Sequence, residues 1–150
     1  MGQMGAVLRS FGIRFGYYDP KNWREARYAD PIVDTFGDMI GAVGKFAFAP
    51  DADKPAIMEA LCSGIAHKMA KLADLNLRHH GGKFVAGNKV TIADFAMISF
   101  IENMMFNPLC PFAPRFQAYL TEFPKLKGYV MVARAEFKGH NAKRTLQTPF

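Results

Sequence analysis

Apolar residues recur three and four positions apart over long stretches of the chain, which is the spacing of one face of an α-helix. Proline, glycine and aspartate at the breaks between these stretches divide the chain into about six helices. The predicted helices span 3–17, 22–48 and 54–80, a stretch that starts near Thr91, and the short segments 115–123 and 125–137. No stretch alternates with the period of a β-strand, so we predict the all-α fold class.

The first three predicted helices each carry an apolar face. In the first, Val7, Phe11 and Phe15 lie four positions apart on a stripe that needs a partner to cover it. The second and third are long enough to pair as a hairpin, and Pro31 lies early enough in the second to kink it or to begin it. Their faces are predicted to consist of Ile32, Phe36, Met39, Val43 and Phe46 in the second, and of Ile57, Leu61, Ile65, Met69 or Leu72, and Leu75 in the third.

The segment from Val90 to Phe95 predicts the start of the next helix. Thr91 is placed to accept a hydrogen bond from the backbone N–H of Asp94, the Asp94 carboxylate to accept one from the N–H of Thr91, and Val90 to pack on Phe95. Such a capping box with a hydrophobic staple stabilises a helix by about 1 kcal/mol. We therefore assign Val90, Thr91, Asp94 and Phe95 a role in folding rather than in catalysis. The helix that follows is apolar on nearly all sides, so we expect it at the centre of a bundle.

The chain has the length and composition of one packed domain. Its 150 residues are half hydrophobic, which is enough for one sizeable core. The net charge of +6 is concentrated in 124–150, where six basic residues accompany one acidic residue. A basic end of this kind can attract a polyanion, but no base-stacking motif accompanies it. A solvated last helix and tail is the favoured interpretation, and we predict no nucleic-acid binding.

The cysteines and histidines give no metal or redox spacing. Cys62 and Cys110 lie far apart in the sequence, and neither is next to a histidine. This pattern is typical of free thiols in a reducing compartment. No apolar run is long enough to span a bilayer, and the first residues lack the zones of a secretory signal. We expect an intracellular, cytoplasmic protein with no bound metal. The histidines on which this prediction rests are His67, His79, His80 and His140.

The order of these features resembles one known family. A helix hairpin, a loop that contains Gly87, the sequence 90–94 and a buried helix are similar to the C-terminal helical domain of the sigma-like cytosolic glutathione transferases. Phe123-Pro124-Lys125-Leu126 is similar to the step that opens a late helix in that family. The resemblance covers essentially the whole chain. It implies that 1–20 correspond to the last helix of the family's thioredoxin-like domain, that 21–150 form the helical domain, and that the rest of the thioredoxin-like domain is missing.

The resemblance also implies glutathione-binding residues. Gln3 matches the first residue of a Gln-Ser pair that grips the γ-glutamyl end of glutathione, but Met4 replaces the serine and removes a hydroxyl donor. Asp34 matches an aspartate that reaches across the dimer to the amino group of glutathione in the partner subunit. The alternative is that Asp30, Asp34 and Asp38 form a solvated acidic stripe. Four arginines are available to balance that stripe: Arg9, Arg14, Arg24 and Arg27.

The family's catalytic hydroxyl or thiol lies in the thioredoxin-like domain and has no counterpart here. The resemblance therefore implies no catalytic residue in this chain and no activity for the chain alone. In that family, the second substrate binds against early helices of the helical domain. By resemblance, Met39, Val43 and Phe46 are therefore candidates for an acceptor pocket. A core stripe is the alternative interpretation of the same three residues.

Two functions follow, from different classes. In the first, the full-length protein conjugates glutathione to electrophiles. In the second, the chain is a non-catalytic subunit of a larger assembly, docked through the exposed stripe of the first helix. A homodimer or a larger assembly through that helix is the expected partner.

Overall fold

The computed structural model describes residues 3–143, and all structural statements below concern these residues. Its α-helices are α1 (Met4–Phe15), α2 (Trp23–Phe48), α3 (Lys54–Ala60), α4 (His67–His80), α5 (Ile92–Phe100), α6 (Ala113–Glu122), α7 (Pro124–Glu136) and α8 (Lys138–Asn141). Two π-helical segments, Leu61–Ala66 and Ile101–Met105, follow α3 and α5 without a break. The described residues contain no β-strand, so the predicted all-α helical bundle is confirmed. None of the described helices has the length and hydropathy that a membrane span needs.

Local caps set the start of α2. The Asn22 side chain accepts a hydrogen bond from the N–H of Glu25 at 3.3 Å, and the Glu25 carboxylate accepts one from the N–H of Asp19 at 2.9 Å. The helix starts at Trp23, close to the predicted start at residue 22, so the alternative in which Pro31 begins it is wrong. Pro31 lies inside α2, where buried neighbours such as Ile32 hold the helix against the core although one backbone hydrogen bond is lost.

The hairpin of α2 with α3 and α4 forms as predicted, but the apolar face of its second arm rotates. A π turn contains about one residue more than an α turn, so side chains beyond it move round the helix. After Leu61–Ala66 the buried positions include Ala70, Ala73 and Leu77, while Leu75 is 50% exposed. The prediction that Leu75 belongs to the buried face is therefore wrong.

The centre of the bundle is α5 with its π-helical continuation. Met97, Phe100 and Ile101 are fully buried, and the ring of Phe100 packs on that of Phe116 from α6 at a centroid distance of 5.1 Å.

Asp74 of α4 caps α7 by accepting hydrogen bonds from the N–H groups of Lys125 and Leu126. The last helices are thus fixed to the hairpin by a buried carboxylate.

Helix α1 docks on the bundle through its C-terminal end. Gly12 is buried against Ile92 and Tyr18, and the first N–H group of α5, that of Ile92, donates to the carbonyl of Tyr17 at 3.1 Å. Its outer stripe is open: Val7 is 43%, Phe11 54% and Phe15 60% exposed. No described residue covers this stripe, which we call the α1 stripe.

Residues 1–2 and 144–150, at the outer ends of the two predicted domains, lie outside the described residues.

Candidate functional site

The two glutathione-binding residues predicted from the sequence line the same groove. This α1–α2 groove has a volume of about 590 Å³ and lies between the start of α1 and the middle of α2. Gln3 and Met4 line one wall, and Asp34 and Asp38 line the other. The groove is polar at its acidic wall, while Met4 offers a thioether with no proton to donate.

Arg9 pairs with Asp34 of the acidic wall and with Asp30, one helical turn earlier on α2. Its Nε lies 2.8 Å from Oδ1 of Asp30, and its Nη2 lies 2.8 Å from Oδ1 of Asp34. The Tyr18 hydroxyl donates to Oδ2 of Asp30 at 2.9 Å. Burial lowers the pKa of Arg9, but the hydrogen bonds and charges of Asp34 and Asp30 outweigh this effect and raise it overall. Burial has the opposite effect on Tyr18: it raises the pKa of the hydroxyl, and the hydrogen bond to Asp30 adds to that rise.

One arginine balances two of the three aspartates of the acidic stripe. Of the four arginines considered, Arg9 pairs with Asp30 and Asp34, whereas Arg14, Arg24 and Arg27 form no ion pair among the described residues. The Asp34 side chain remains 64% exposed, and within residues 3–143 its Oδ2 accepts no hydrogen bond. One oxygen of Asp34 is therefore held by a guanidinium, while the other has no hydrogen-bond donor among the described residues.

The three residues considered for an acceptor pocket lie in the core. Met39 is 0%, Val43 4% and Phe46 8% exposed, and Phe46 packs edge-on against Phe112 at 4.7 Å between ring centroids. They do not line the α1–α2 groove. The core-stripe interpretation agrees with this burial, and an acceptor pocket at these residues stays a prediction.

The predicted capping box is present at the start of α5 and is more extensive than the sequence indicated. Oδ2 of Asp94 accepts from the N–H of Thr91 at 2.8 Å and from its hydroxyl at 3.0 Å, and the Asp94 N–H lies 3.0 Å from the Thr91 carbonyl oxygen. Oδ1 accepts from the N–H of Val85 at 3.2 Å and from the Tyr129 hydroxyl at 2.9 Å. Burial raises the pKa of Asp94, and these donors oppose the rise. Asp94 thus joins three parts of the bundle.

The predicted staple partner, Phe95, makes aromatic contacts outside its own turn. Its ring lies edge-on to Tyr17 at 5.0 Å and to Phe137 at 5.4 Å. Its contact with Val90 stays a prediction.

Both cysteines are buried free thiols, and no group of three or more His, Cys, Asp or Glu within 3–143 is arranged to hold a metal ion.

Comparison with known proteins decides the family. The family described as glutathione S-transferase, C-terminal domain, matches residues 37–136. The chain belongs to this family. A similar solved structure is that of prostaglandin synthase D of Nilaparvata lugens, with 20% sequence identity, a TM-score of 0.70, and coverage of 94% of this chain and 67% of that chain. This likeness concerns the fold. None of the curated proteins that were compared matches the chain.

A second groove of this glutathione S-transferase domain was not predicted from the sequence. It has a volume of about 670 Å³ and lies between the start of α2, the end of α4 and the loop before α5. We call it the basic groove, because five residues with basic side chains line it: Arg24, Arg27, His79, His80 and Lys89. The sequence does contain a signal for this groove. Trp23-Arg24 and Arg27-Tyr28 each combine an aromatic residue with an arginine, and their spacing places them on one side of the same helix.

The two histidines of the basic groove hold its walls together. His80 accepts at Nδ1 from the N–H of Gly82 at 2.8 Å, and its Nε2 lies 3.1 Å from the carbonyl oxygen of Val85. Nδ1 of His79 lies 2.6 Å from the Tyr28 hydroxyl. The end of α4 is thereby tied both to the following loop and to α2. Gly81 allows this turn because its φ of 64° is left-handed.

Proposed function

We propose that this chain is the helical part of a sigma-like glutathione transferase whose full-length form conjugates glutathione to electrophiles. The observation that carries the proposal is the convergence of Gln3 and Asp34 on the α1–α2 groove, in a chain whose residues 37–136 match the glutathione S-transferase C-terminal domain. Residues 1–20 would then complete a thioredoxin-like domain, and 21–150 would form the helical domain. The proposed location is the cytoplasm, as in the cytosolic branch that the chain resembles.

The proposed role of Asp34 is to accept the ammonium group of glutathione. Its Oδ1 is held by Arg9 at 2.8 Å, and its Oδ2 remains open to accept a hydrogen bond. By resemblance, that ammonium group belongs to glutathione in the partner subunit of a homodimer. Gln3 offers an amide to the γ-glutamyl end. Met4 provides no hydroxyl donor, so we expect weaker binding than a Gln-Ser pair gives.

The proposed reaction divides between the two parts of the protein. The glutathione thiol loses its proton, and the thiolate forms a carbon–sulfur bond with the electrophile. A donor aimed at the sulfur favours the thiolate, and this electrostatic task falls to the thioredoxin-like part. We therefore propose that the chain of 150 residues contributes binding but shows no conjugation activity alone.

Calorimetric titration with glutathione tests the role of Asp34. Asp34→Asn removes the negative charge and should weaken binding by about tenfold, because a charge-assisted hydrogen bond is lost. Asp53→Asn, an exposed position outside the groove, is the matched control and should bind like the unchanged chain. Equal affinity of the Asp34 and Asp53 variants, or no binding by the unchanged chain, would contradict the proposed site.

A second candidate function is a non-catalytic subunit of a protein assembly. It is favoured by the α1 stripe, where the rings of Phe11 and Phe15 are stacked at 6.1 Å with an interplanar angle of 3° and remain more than half exposed. Contiguous apolar surface of this kind marks an interaction site. A photoreactive residue at Phe11 in the native protein distinguishes the two functions. Crosslinks within one polypeptide support the transferase, and crosslinks to a different protein support the subunit.

A further inference from the structure

The basic groove has the size of a small-molecule site. Its volume of about 670 Å³ lies in the range of roughly 300–1,000 Å³ that is typical of ligand pockets. It shares no lining residue with the α1–α2 groove. Trp23 and Asp34 are eleven residues apart on α2, which corresponds to roughly 16 Å along the helix axis. A ligand in the basic groove would therefore be independent of the glutathione site.

The charges of the basic groove leave two guanidinium groups available. Its one acidic lining residue, Glu25, is 4% exposed and lies 2.8 Å from Nζ of Lys89. Arg24 and Arg27 are exposed and form no ion pair within the described residues. Guanidinium forks of this kind match phosphate oxygens, each with two parallel N–H donors. The groove is therefore suited to an anion with several oxygens.

Aromatic rings lie beside both guanidinium groups. Trp23 is 64% exposed, and the guanidinium carbon of Arg24 lies 5.5 Å from the centre of its ring. The guanidinium carbon of Arg27 lies 6.0 Å from the centre of the Tyr28 ring. Exposed indole and guanidinium planes are surfaces on which a nucleobase stacks. An exposed tryptophan inside a cationic groove combines the two features that recognise a base and its phosphates.

We propose that the basic groove binds a nucleoside polyphosphate, with the base stacked on Trp23 and the phosphates bound by Arg24 and Arg27. The site consists of side chains from the first turns of α2, supported by His79 at the end of α4 and by Lys89 in the loop before α5. A small nucleotide, not a long strand, fits because the site is a single groove of limited volume.

Trp23 is the single tryptophan of the chain, so its fluorescence reports on this groove directly. ATP should quench that fluorescence in a saturable way, at an excitation wavelength that adenine does not absorb. Adenosine and inorganic triphosphate, titrated separately by calorimetry, should each bind at least about tenfold more weakly than ATP, because each lacks one of the two recognised parts. Equal binding of triphosphate and ATP would overturn the nucleotide assignment, and equal binding of adenosine would overturn the role of the arginines.

Variants provide the second arm of the experiment. Arg24→Gln and Arg27→Gln should each weaken ATP binding by about tenfold, because a charge-assisted contact to phosphate is lost. Arg14→Gln is the matched control: Arg14 is exposed, its guanidinium carbon lies 5.5 Å from the centre of the Phe15 ring, and it is outside the groove. Circular dichroism checks that each variant is folded. Absence of saturable ATP binding by the unchanged chain, or equal affinities for the Arg14, Arg24 and Arg27 variants, would overturn the proposal.

Discussion

The Asp94 carboxylate is the most informative single position for testing the fold. It is fully buried and accepts from four donors, which belong to Val85, Thr91 and Tyr129. Asp94→Asn keeps the size of the side chain but replaces one oxygen by an NH₂ group, which is a donor. Either orientation of the amide leaves one backbone N–H and one hydroxyl facing another donor.

Two lost contacts set the size of the expected destabilisation. A buried backbone N–H that loses its acceptor costs about 1–3 kcal/mol, whereas a hydroxyl can rotate and recover part of its bond. The sum predicts a loss of about 2–4 kcal/mol in the free energy of unfolding. With a urea m-value of about 2 kcal/mol/M, the midpoint should fall by about 1–2 M.

Urea unfolding followed by circular dichroism measures this loss. Asp38→Asn is the control, because Asp38 is an exposed helical aspartate that makes no hydrogen bond or ion pair among the described residues. The control should leave the midpoint essentially unchanged. A midpoint for Asp94→Asn equal to that of the control would refute the conclusion that this carboxylate joins the loop, α5 and α7.

Three other features of the fold give predictions of their own. Gly12→Ala should lower the free energy of unfolding by about 1–3 kcal/mol, because an added Cβ would lie 2.5 Å from Cγ2 of Ile92. Gly41→Ala, with nothing within 4 Å of the added atom, should raise it by about 0.5–1 kcal/mol. Equal urea midpoints would contradict this difference. Asp74→Asn should cost about 2–3 kcal/mol in the same assay, since the buried carboxylate caps α7 and pairs with Arg78; an unchanged midpoint would exclude that role. Burial raises the pKa of Cys62 to about 11 from 9.0. Its contribution to stability should therefore be constant below pH 9.0 and be lost as pH rises towards about 11. Mass spectrometry should find the native thiol unalkylated by iodoacetamide at neutral pH, and rapid alkylation would contradict its burial.

Features fixed by local chemistry were predictable from the sequence. The capping box of Thr91 with Asp94 depends on residues three positions apart, and the end of α4 depends on Gly81. Both were found where the sequence predicts them. The start of α2 differs from the prediction by one residue, because Asn22 is the cap and not the first helical residue.

The rotated face of α4 could not be read from periodicity, because it depends on distant residues. The carbonyl of Cys62 lies in the first π turn and accepts a hydrogen bond from the Tyr119 hydroxyl of α6. This contact satisfies a backbone group of a segment that departs from α geometry. A sequence pattern assumes the regular period throughout, so it placed Leu75 on the wrong face.

The candidate sites were predictable to different degrees. Gln3 and Asp34 came from family resemblance, and their convergence on one groove needed the packing of α1 on α2. The basic groove needed the approach of Lys89 to Glu25, which are distant in sequence. The sequence offers four arginines as partners of the acidic stripe, and among the described residues Arg9 takes that role, whereas Arg24 and Arg27 line the basic groove.

The mass of the native protein, purified from its source and tested with glutathione in a calorimeter, examines the central claim most directly. The transferase account predicts a polypeptide heavier than 16.7 kDa that binds glutathione and whose additional residues cover the α1 stripe. A chain mass near 16.7 kDa, without glutathione binding and with other proteins co-purifying, would contradict it and favour the non-catalytic subunit.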